Sequence, residues 1–345
     1  MSVRSEIQEQ PEVVERLVTV GADGVREMAE VVSQRDAQWV FIAARGSSDN
    51  AALYAKYLWG SLNRLPVALA SPSLFTLYRQ PPRLAGGLVV GISQSGESPD
   101  IVSVVREGRD QGALTLAITN EPSSPIAAAA ELVLDTATGP ERAVAATKTY
   151  TAQLTAIALL GAALARDPER LAELERLPEL VRAALNLDDT IRQAVERYRY
   201  MKECAVIGRG FNFSTAYEWS LKLKEMAYVV AEPYSPADFQ HGPVAIVSPG
   251  FPVLAVAVRG AALEDSLTFL ERLVKRHEAE LLVLSNEPRA LALAKTPIEL
   301  PEDVPEWLSP IVAIVAAQLF CYHLTRAKGH DTENPRQLSK VTRTW

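Results

Sequence analysis

Short apolar runs alternate along this chain with amphipathic stretches and polar turns. Residues 39–43 form an apolar run, Arg45 to Asn50 a polar turn, and residues 51–59 a helical stretch. The next unit repeats the grammar: Leu88, Val89 and Val90 supply a buried strand end, GISQSGESPD at 91–100 the turn, and Ile101, Val104 and Val105 the start of a helical spacing. Residues 113–119 then read as a strand, 120–125 as a turn, the following alanine-rich stretch as a helix and 131–135 as a strand. Strands alternating with helices across short polar turns predict a parallel sheet covered on both faces, with ligands collecting at the carboxyl ends of its strands. Both polar turns, Gly46-Ser47-Ser48 and Ser93 to Ser98, lie at such ends.

Around this block, residues 8–34 read as one or two amphipathic helices and 139–165 as a polar stretch leading into a long apolar helix. Thr147, Lys148 and Thr149 stand where that helix begins, as a cap with a solvated lysine or as polar groups facing a ligand. Residues 168–200 are charged and helical. The pattern then restarts: Ala205 to Gly210 echoes Ile42 to Gly46, and Leu281 to Pro288, ending Ser-Asn-Glu-Pro, echoes Ala117 to Pro122, ending Thr-Asn-Glu-Pro. The two echoes keep nearly the same offset, as a duplicated domain requires. The expected organisation is an N-terminal helical segment (1–34), a first α/β domain (35–167), a helical connector (168–200), a second α/β domain (201–330) and a tail (331–345).

Composition narrows the chemistry. The 345 residues carry a net charge of -7 and no long basic run, which disfavours nucleic acid as a partner. Cys204 and Cys321 are too few for a disulfide framework or a cysteine metal site, so a cytoplasmic setting is expected. The N-terminus lacks a signal-peptide core. The apolar windows 154–165 and 311–321 fall short of the roughly 18 residues a spanning helix needs, so both read as buried or interface helices and no membrane partner is expected.

The turn at 91–100 concentrates Ser93, Gln94, Ser95 and Ser98 at the start of a helix, where unpaired N–H groups and the helix dipole favour an anion. Without a Walker lysine, the expected anion is a phosphate monoester on a small molecule; the alternative is a polar turn capped by Ser98. The second copy has Val258-Arg-Gly-Ala-Ala-Leu-Glu-Asp265 in its place, so one phosphate site per chain is expected. That copy instead carries a helix over 217–230 with Glu218, Lys222 and Glu225 on one face, either a solvated ion-pair ladder or a proton-transfer group. His241, before Gly242-Pro243, is a structural or a catalytic histidine. In the tail, Pro335, Leu338, Val341 and Trp345 are anchors that a free segment does not need. Lys340 could form an imine with a sugar carbonyl or hold a charged oxygen.

With these motifs in order, the chain resembles the sugar isomerase (SIS) domain proteins over nearly its whole length. It is most similar to the isomerase half of glucosamine-6-phosphate synthase and to the stand-alone glucosamine-6-phosphate deaminases related to it. The resemblance rests on Gly46-Ser47-Ser48, SQSGES, the Glu225 helix with its HGP loop, and the Pro-Arg-x-Leu-x-Lys tail at 335–340. It implies two tandem SIS domains, each doubly wound and flavodoxin-like, around a fructose or glucosamine 6-phosphate. Ser47, Ser93, Gln94, Ser95 and Ser98 would bind the phosphate, and Gly46, Val144, Ala145 and Thr147 the sugar. Glu225 would move a proton between C1 and C2 beside Lys222 and Glu218. His241 would open the ring from the neighbouring subunit of a homodimer, and Lys340 would contact the open-chain sugar. No metal or organic cofactor is implied. Arg45 departs from the small residue or cysteine common before that glycine, with an expected effect on the pocket mouth, and the residue often inserted after the tail lysine is missing. Residues 1–34 are too few to hold a glutaminase domain, so no ammonia source is expected on the chain and the expected reaction is glucosamine 6-phosphate plus water giving fructose 6-phosphate and ammonia. The alternatives are a fructosamine-6-phosphate deglycase, a simple sugar-phosphate isomerase, and a non-catalytic sugar-phosphate-binding regulator.

Overall fold

A computed structural model describes residues 2–340 of the chain. It contains two compact units. One comprises Glu12–Arg142 and Lys148–Leu177 with Ser339 and Lys340; the other comprises residues 2–11, Ala143–Thr147 and Pro178–Leu338. We refer to them as the N-terminal and C-terminal units.

The N-terminal unit is built on a five-stranded parallel sheet, β1 (Val40–Ala43), β2 (Val67–Leu69), β3 (Leu88–Ser93), β4 (Leu114–Thr119) and β5 (Leu132–Asp135), in the order β2-β1-β3-β4-β5. Every residue of β3 and β4 is buried, which is why they read as unbroken apolar runs and not as alternating ones. The C-terminal unit repeats the design with β6 (Glu203–Gly208), β7 (Val230–Tyr234), β8 (Pro252–Val256), β9 (Glu280–Ser285) and β10 (Thr296–Glu299), in the order β10-β9-β8-β6-β7. Read from its other edge, that is the order of the first sheet, and all pairings are parallel. The duplicated α/β, flavodoxin-like fold is therefore present.

The Asn-Glu-Pro triplets do the same work in both sheets. Asn120 follows β4 and Asn286 follows β9, and each side-chain amide donates to a carbonyl in the loop after the last strand, Gly139 at 2.9 Å and Glu302 at 3.1 Å.

The differences from the sequence expectations are at edges and ends. The N-terminal region forms three helices, Val3–Gln8, Gln10–Thr19 and Ala22–Gln34, the first capped by Ser2. The edge strands β2, β7 and β10 lacked a strand signature because edges are short and half-exposed, and Pro233 and Pro297 are tolerated there. β3 runs on through Ser93, and the helix expected to reach residue 230 stops at Ala227, where Tyr228 turns left-handed at φ 53°. Leu338, expected to anchor the tail, is 44% exposed, whereas Pro335 is buried; Val341 and Trp345 lie outside the described residues.

The two apolar windows lie within longer helices, Lys148–Ala165 and Ser309–Ala327. The span Glu306–Ala327 is long and apolar enough to cross a membrane, yet its apolar window is wholly buried within the protein, as a core helix is. Trp219 and Phe320 meet edge to face at 5.6 Å in the C-terminal unit, joining this helix to Phe213–Ala227.

Gly91, in the middle of β3, has no room for a side chain: a Cβ there would lie 2.5 Å from Ile126 Cδ1 and 2.6 Å from Val105 Cγ2. Gly91→Ala is expected to cost about 1–3 kcal/mol by overpacking, read as a lower midpoint in urea unfolding; an unchanged midpoint would contradict this packing.

Candidate functional site

In the N-terminal unit the residues predicted to hold phosphate gather at the carboxyl ends of the neighbouring strands β1 and β3. Gly46 leaves β1 with φ 55° and precedes the helix Ser47–Leu62, so Ser47 is the first residue of that helix. Ser48 behind it is buried and accepts a 3.0 Å hydrogen bond from Gln153 Nε2. Ser93 ends β3, and its hydroxyl accepts from Gly96 N at 3.1 Å, while Ser95 accepts from Glu97 N at 3.4 Å. The carbonyl of Gln94 takes Asn120 N at 3.2 Å, so the turn is pinned to the end of β4. Gly96, at φ 65°, lies so close to Ser124 that a Cβ would fall 2.1 Å from its hydroxyl. Ser98 sits at the N-cap of the helix Pro99–Asp110 but makes no side-chain capping bond. The side-chain cap reading of Ser98 therefore fails.

The second copy shows what happens to this turn when it loses its serines. There the helix Leu263–His277 follows β8, and the carboxylate of Glu306 accepts from Ala261 N at 2.8 Å and Ala262 N at 3.1 Å. An internal anion occupies the place where the first copy presents serines. Gly260, at φ 151°, permits this approach, since a Cβ would lie 2.2 Å from the Glu306 carboxyl carbon.

Arg45, expected to affect the pocket mouth, is paired with Asp100 beside the turn after β3. Its Nε and Nη2 both reach Asp100 Oδ2, at 2.9 and 2.8 Å, and Asp100 is completely buried in the first turn of Pro99–Asp110. The pair ties the turn after β1 to the turn after β3. The second copy carries a weaker counterpart, Arg209 Nε to Asp265 Oδ2 at 3.2 Å, with the aspartate 54% exposed. This clamp belongs to the duplicated scaffold, and sequence reading missed it because its halves are far apart along the chain. Asp49, beside the Arg45 turn, has its carboxyl pushed up by burial, against the pull of the Arg45 guanidinium.

In the C-terminal unit the helix Phe213–Ala227 brings Glu218, Lys222 and Glu225 together. Lys222 Nζ lies 2.5 Å from Glu225 Oε2 and 3.4 Å from Glu218 Oε1. The side chains of Glu218 and Lys222 are 0% and 2% exposed, and that of Glu225 is 24% exposed. The solvated-ladder alternative is thereby excluded. A lysine removed from water needs anionic partners, and Glu225 is the member of the group open to a ligand. Glu225 can take and return a proton while Lys222 keeps Glu218 as its counter-ion.

His241 follows the helix Pro236–Gln240, which Ser235 caps by accepting from Asp238 N at 3.1 Å. It is exposed, and Gly242 after it takes φ 138°, which only glycine holds easily. Ala143–Thr147 groups with this unit: Ala145 and Thr147 are buried, Val144 is partly exposed, and the Thr147 carbonyl accepts from Gln318 at 3.3 Å.

Lys148, read either as a solvated lysine beside a cap or as a ligand-facing group, is 1% exposed in the N-terminal unit, against the solvated alternative. Lys340 also groups there, and its Nζ lies 2.5 Å from Glu141, a residue to which sequence reading gave no role. Both cysteines are buried, and burial pushes both thiols well above their ordinary range, which rules them out as ready nucleophiles. No cluster of side chains suited to a metal ion occurs among the described residues.

A family model for the SIS domain matches residues 35–163 and 199–326. The glutamine–fructose-6-phosphate aminotransferase [isomerizing] of Pyrococcus horikoshii is 35% identical over 340 residues, covering 97% of this chain and 56% of that protein. This chain spans about half the length of the curated relatives it matches. Among solved structures, a candidate phosphosugar isomerase from Silicibacter pomeroyi DSS-3 is 34% identical, with 96% of this chain and 100% of that one covered at a TM-score of 0.86. The C-terminal domain of glucosamine-fructose-6-phosphate aminotransferase from Francisella tularensis is 29% identical, with 96% and 98% covered at a TM-score of 0.87.

Removing Arg45 leaves a buried carboxylate without its cation. Arg45→Ala is expected to cost about 1–3 kcal/mol, whereas Arg209→Ala, facing an exposed partner, should cost less than about 1 kcal/mol. Equal losses for the two variants in chemical denaturation would contradict the assignment of Arg45–Asp100 as the stronger clamp.

Proposed function

We propose that this chain, which belongs to the SIS domain family of phosphosugar isomerases, moves a proton between C1 and C2 of an amino-sugar 6-phosphate and releases its amine. The reaction is glucosamine 6-phosphate plus water giving fructose 6-phosphate and ammonia. The observation that carries this reading is the Glu218–Lys222–Glu225 group, in which a buried lysine is charge-balanced and the one accessible member is a carboxylate. Proton transfer next to a carbonyl or imine needs a positioned base of that kind and no cofactor.

The roles follow from the resemblance. Ser47, Ser93, Gln94, Ser95 and Ser98 hold the phosphate, with Gly46, Val144, Ala145 and Thr147 along the sugar. His241, supplied by the second subunit of a homodimer, assists ring opening. Glu225 takes the proton from C2 and returns it to C1, which converts the C2 amine into an imine. Water adds to the imine carbon and ammonia leaves. Lys222 stabilises the Glu225 carboxylate when the proton is away, and Glu218 keeps Lys222 charge-balanced. Lys340 supplies a cation to the open-chain sugar. The phosphate reading draws support from the second copy, where an internal carboxylate sits at the corresponding helix start.

The test is ammonia release by the purified protein from glucosamine 6-phosphate, beside galactosamine 6-phosphate and a fructosamine 6-phosphate. Release from the first is expected, with a loss of about a thousandfold in kcat for Glu225→Gln, the scale of a general acid–base contribution. Release only from the fructosamine would make the protein a deglycase. No release from any of the three, with fructose 6-phosphate still bound, would overturn the enzyme reading in favour of a regulator.

A further inference from the structure

Glu141 lies in the irregular segment between β5 and the helix Lys148–Ala165, and its side chain is completely buried. Its Oε1 accepts from Thr149 N at 3.1 Å, and its Oε2 accepts from the Thr149 hydroxyl at 2.8 Å. Thr149 is the second residue of that helix, so the carboxylate stands where an unpaired N–H group and the helix dipole both favour negative charge. Lys340, from the far end of the chain, brings its ammonium to the same Oε2 at 2.5 Å. The carboxylate has its Thr149 donors whether or not the tail is seated, so it is a preformed socket for a cation. A buried carboxylate also holds such a cation far more firmly than a surface one.

We propose that Glu141 is the positioning residue for Lys340: a buried anionic socket on the start of Lys148–Ala165 that seats the tail lysine for its work on the sugar. What Lys340 does there rests on the function proposed above; how it is held rests on the geometry alone. The rest of the described tail has separate holds. Glu333 accepts Val3 N at 3.1 Å, and the Arg336 guanidinium lies 4.4 Å from the centre of the Tyr228 ring. Leu338 stays exposed, so apolar burial at that position does not fix where Lys340 goes. In its socket Lys340 is paired with a carboxylate and offers it an N–H donor. The socket therefore favours its use as a charged donor to the sugar oxygens.

The test combines hydrogen exchange of the tail with kinetics, on the full chain. Glu141→Gln should raise amide exchange across residues 331–340 by roughly tenfold, as local opening of a segment that has lost its anchor does. Lys340→Met keeps the Thr149 bonds to Glu141 and should raise exchange to the same extent, which covers the case in which Glu141→Gln does not fold. In turnover, Glu141→Gln should lower kcat roughly tenfold to a hundredfold, the usual cost of a misplaced group, and Glu141→Asp should restore part of it. Adding Glu141→Gln to Lys340→Met should cost nothing further, since both remove the same pair. Unchanged tail exchange in both variants, or fully additive kinetic losses, would overturn the proposal. If the unmodified protein turns over no sugar phosphate, the functional reading fails, and the tail exchange still decides whether Glu141 is the socket.

Discussion

The C-terminal unit depends on keeping a lysine charged inside the protein. Lys222 is 2% exposed, and a cation removed from water to that extent is tolerable only with anions in contact. The helix Phe213–Ala227 supplies them four residues before and three residues after, spacings that share one helical face. Packing against Ser309–Ala327, seen where Trp219 meets Phe320, then excludes water from that face. One carboxylate, Glu218, is sealed in; the other, Glu225, keeps an opening. The ion pairing that makes this burial tolerable also leaves a partly open carboxylate beside a fixed cation on the same helix face.

Duplication gave the chain two sheets of one design and two fates for one turn. After β3 the turn carries hydroxyls and opens at a helix start. After β8 the same position is filled by the Glu306 carboxylate, and glycine at 260 makes room for it. The Arg–Asp clamp is found in both copies, but only Asp100 is buried. The scaffold was kept while the contents of the turn changed, as expected when a site is grafted on a fold.

Much of this was legible in the sequence. The central strands of the first sheet read directly because burial on both faces makes them continuous apolar runs, and the echoes at Ala205–Gly210 and Leu281–Pro288 exposed the duplication. Gly46, Ser93 and Ser98 were placed at strand ends by the same grammar. What escaped was set by contacts between distant residues. The edge strands β2, β7 and β10 take their conformation from a neighbour's hydrogen bonds. Nothing local to Glu141 or Asp100 announces a partner in the tail or at position 45. The depth of Lys222 and Lys148 was hidden for the same reason, since a lysine's sequence neighbours do not say which elements will pack over it.

The proposed chemistry stands or falls with Glu225 acting as a base at a sugar C–H bond. Proton NMR of fructose 6-phosphate incubated with the protein in D2O tests it most directly. A C1 proton signal is expected to be lost to deuterium in the presence of the protein and to persist with Glu225→Gln. Persistence of both C1 signals with the unmodified protein, while the sugar phosphate is bound and no label enters an aldose product, would contradict it.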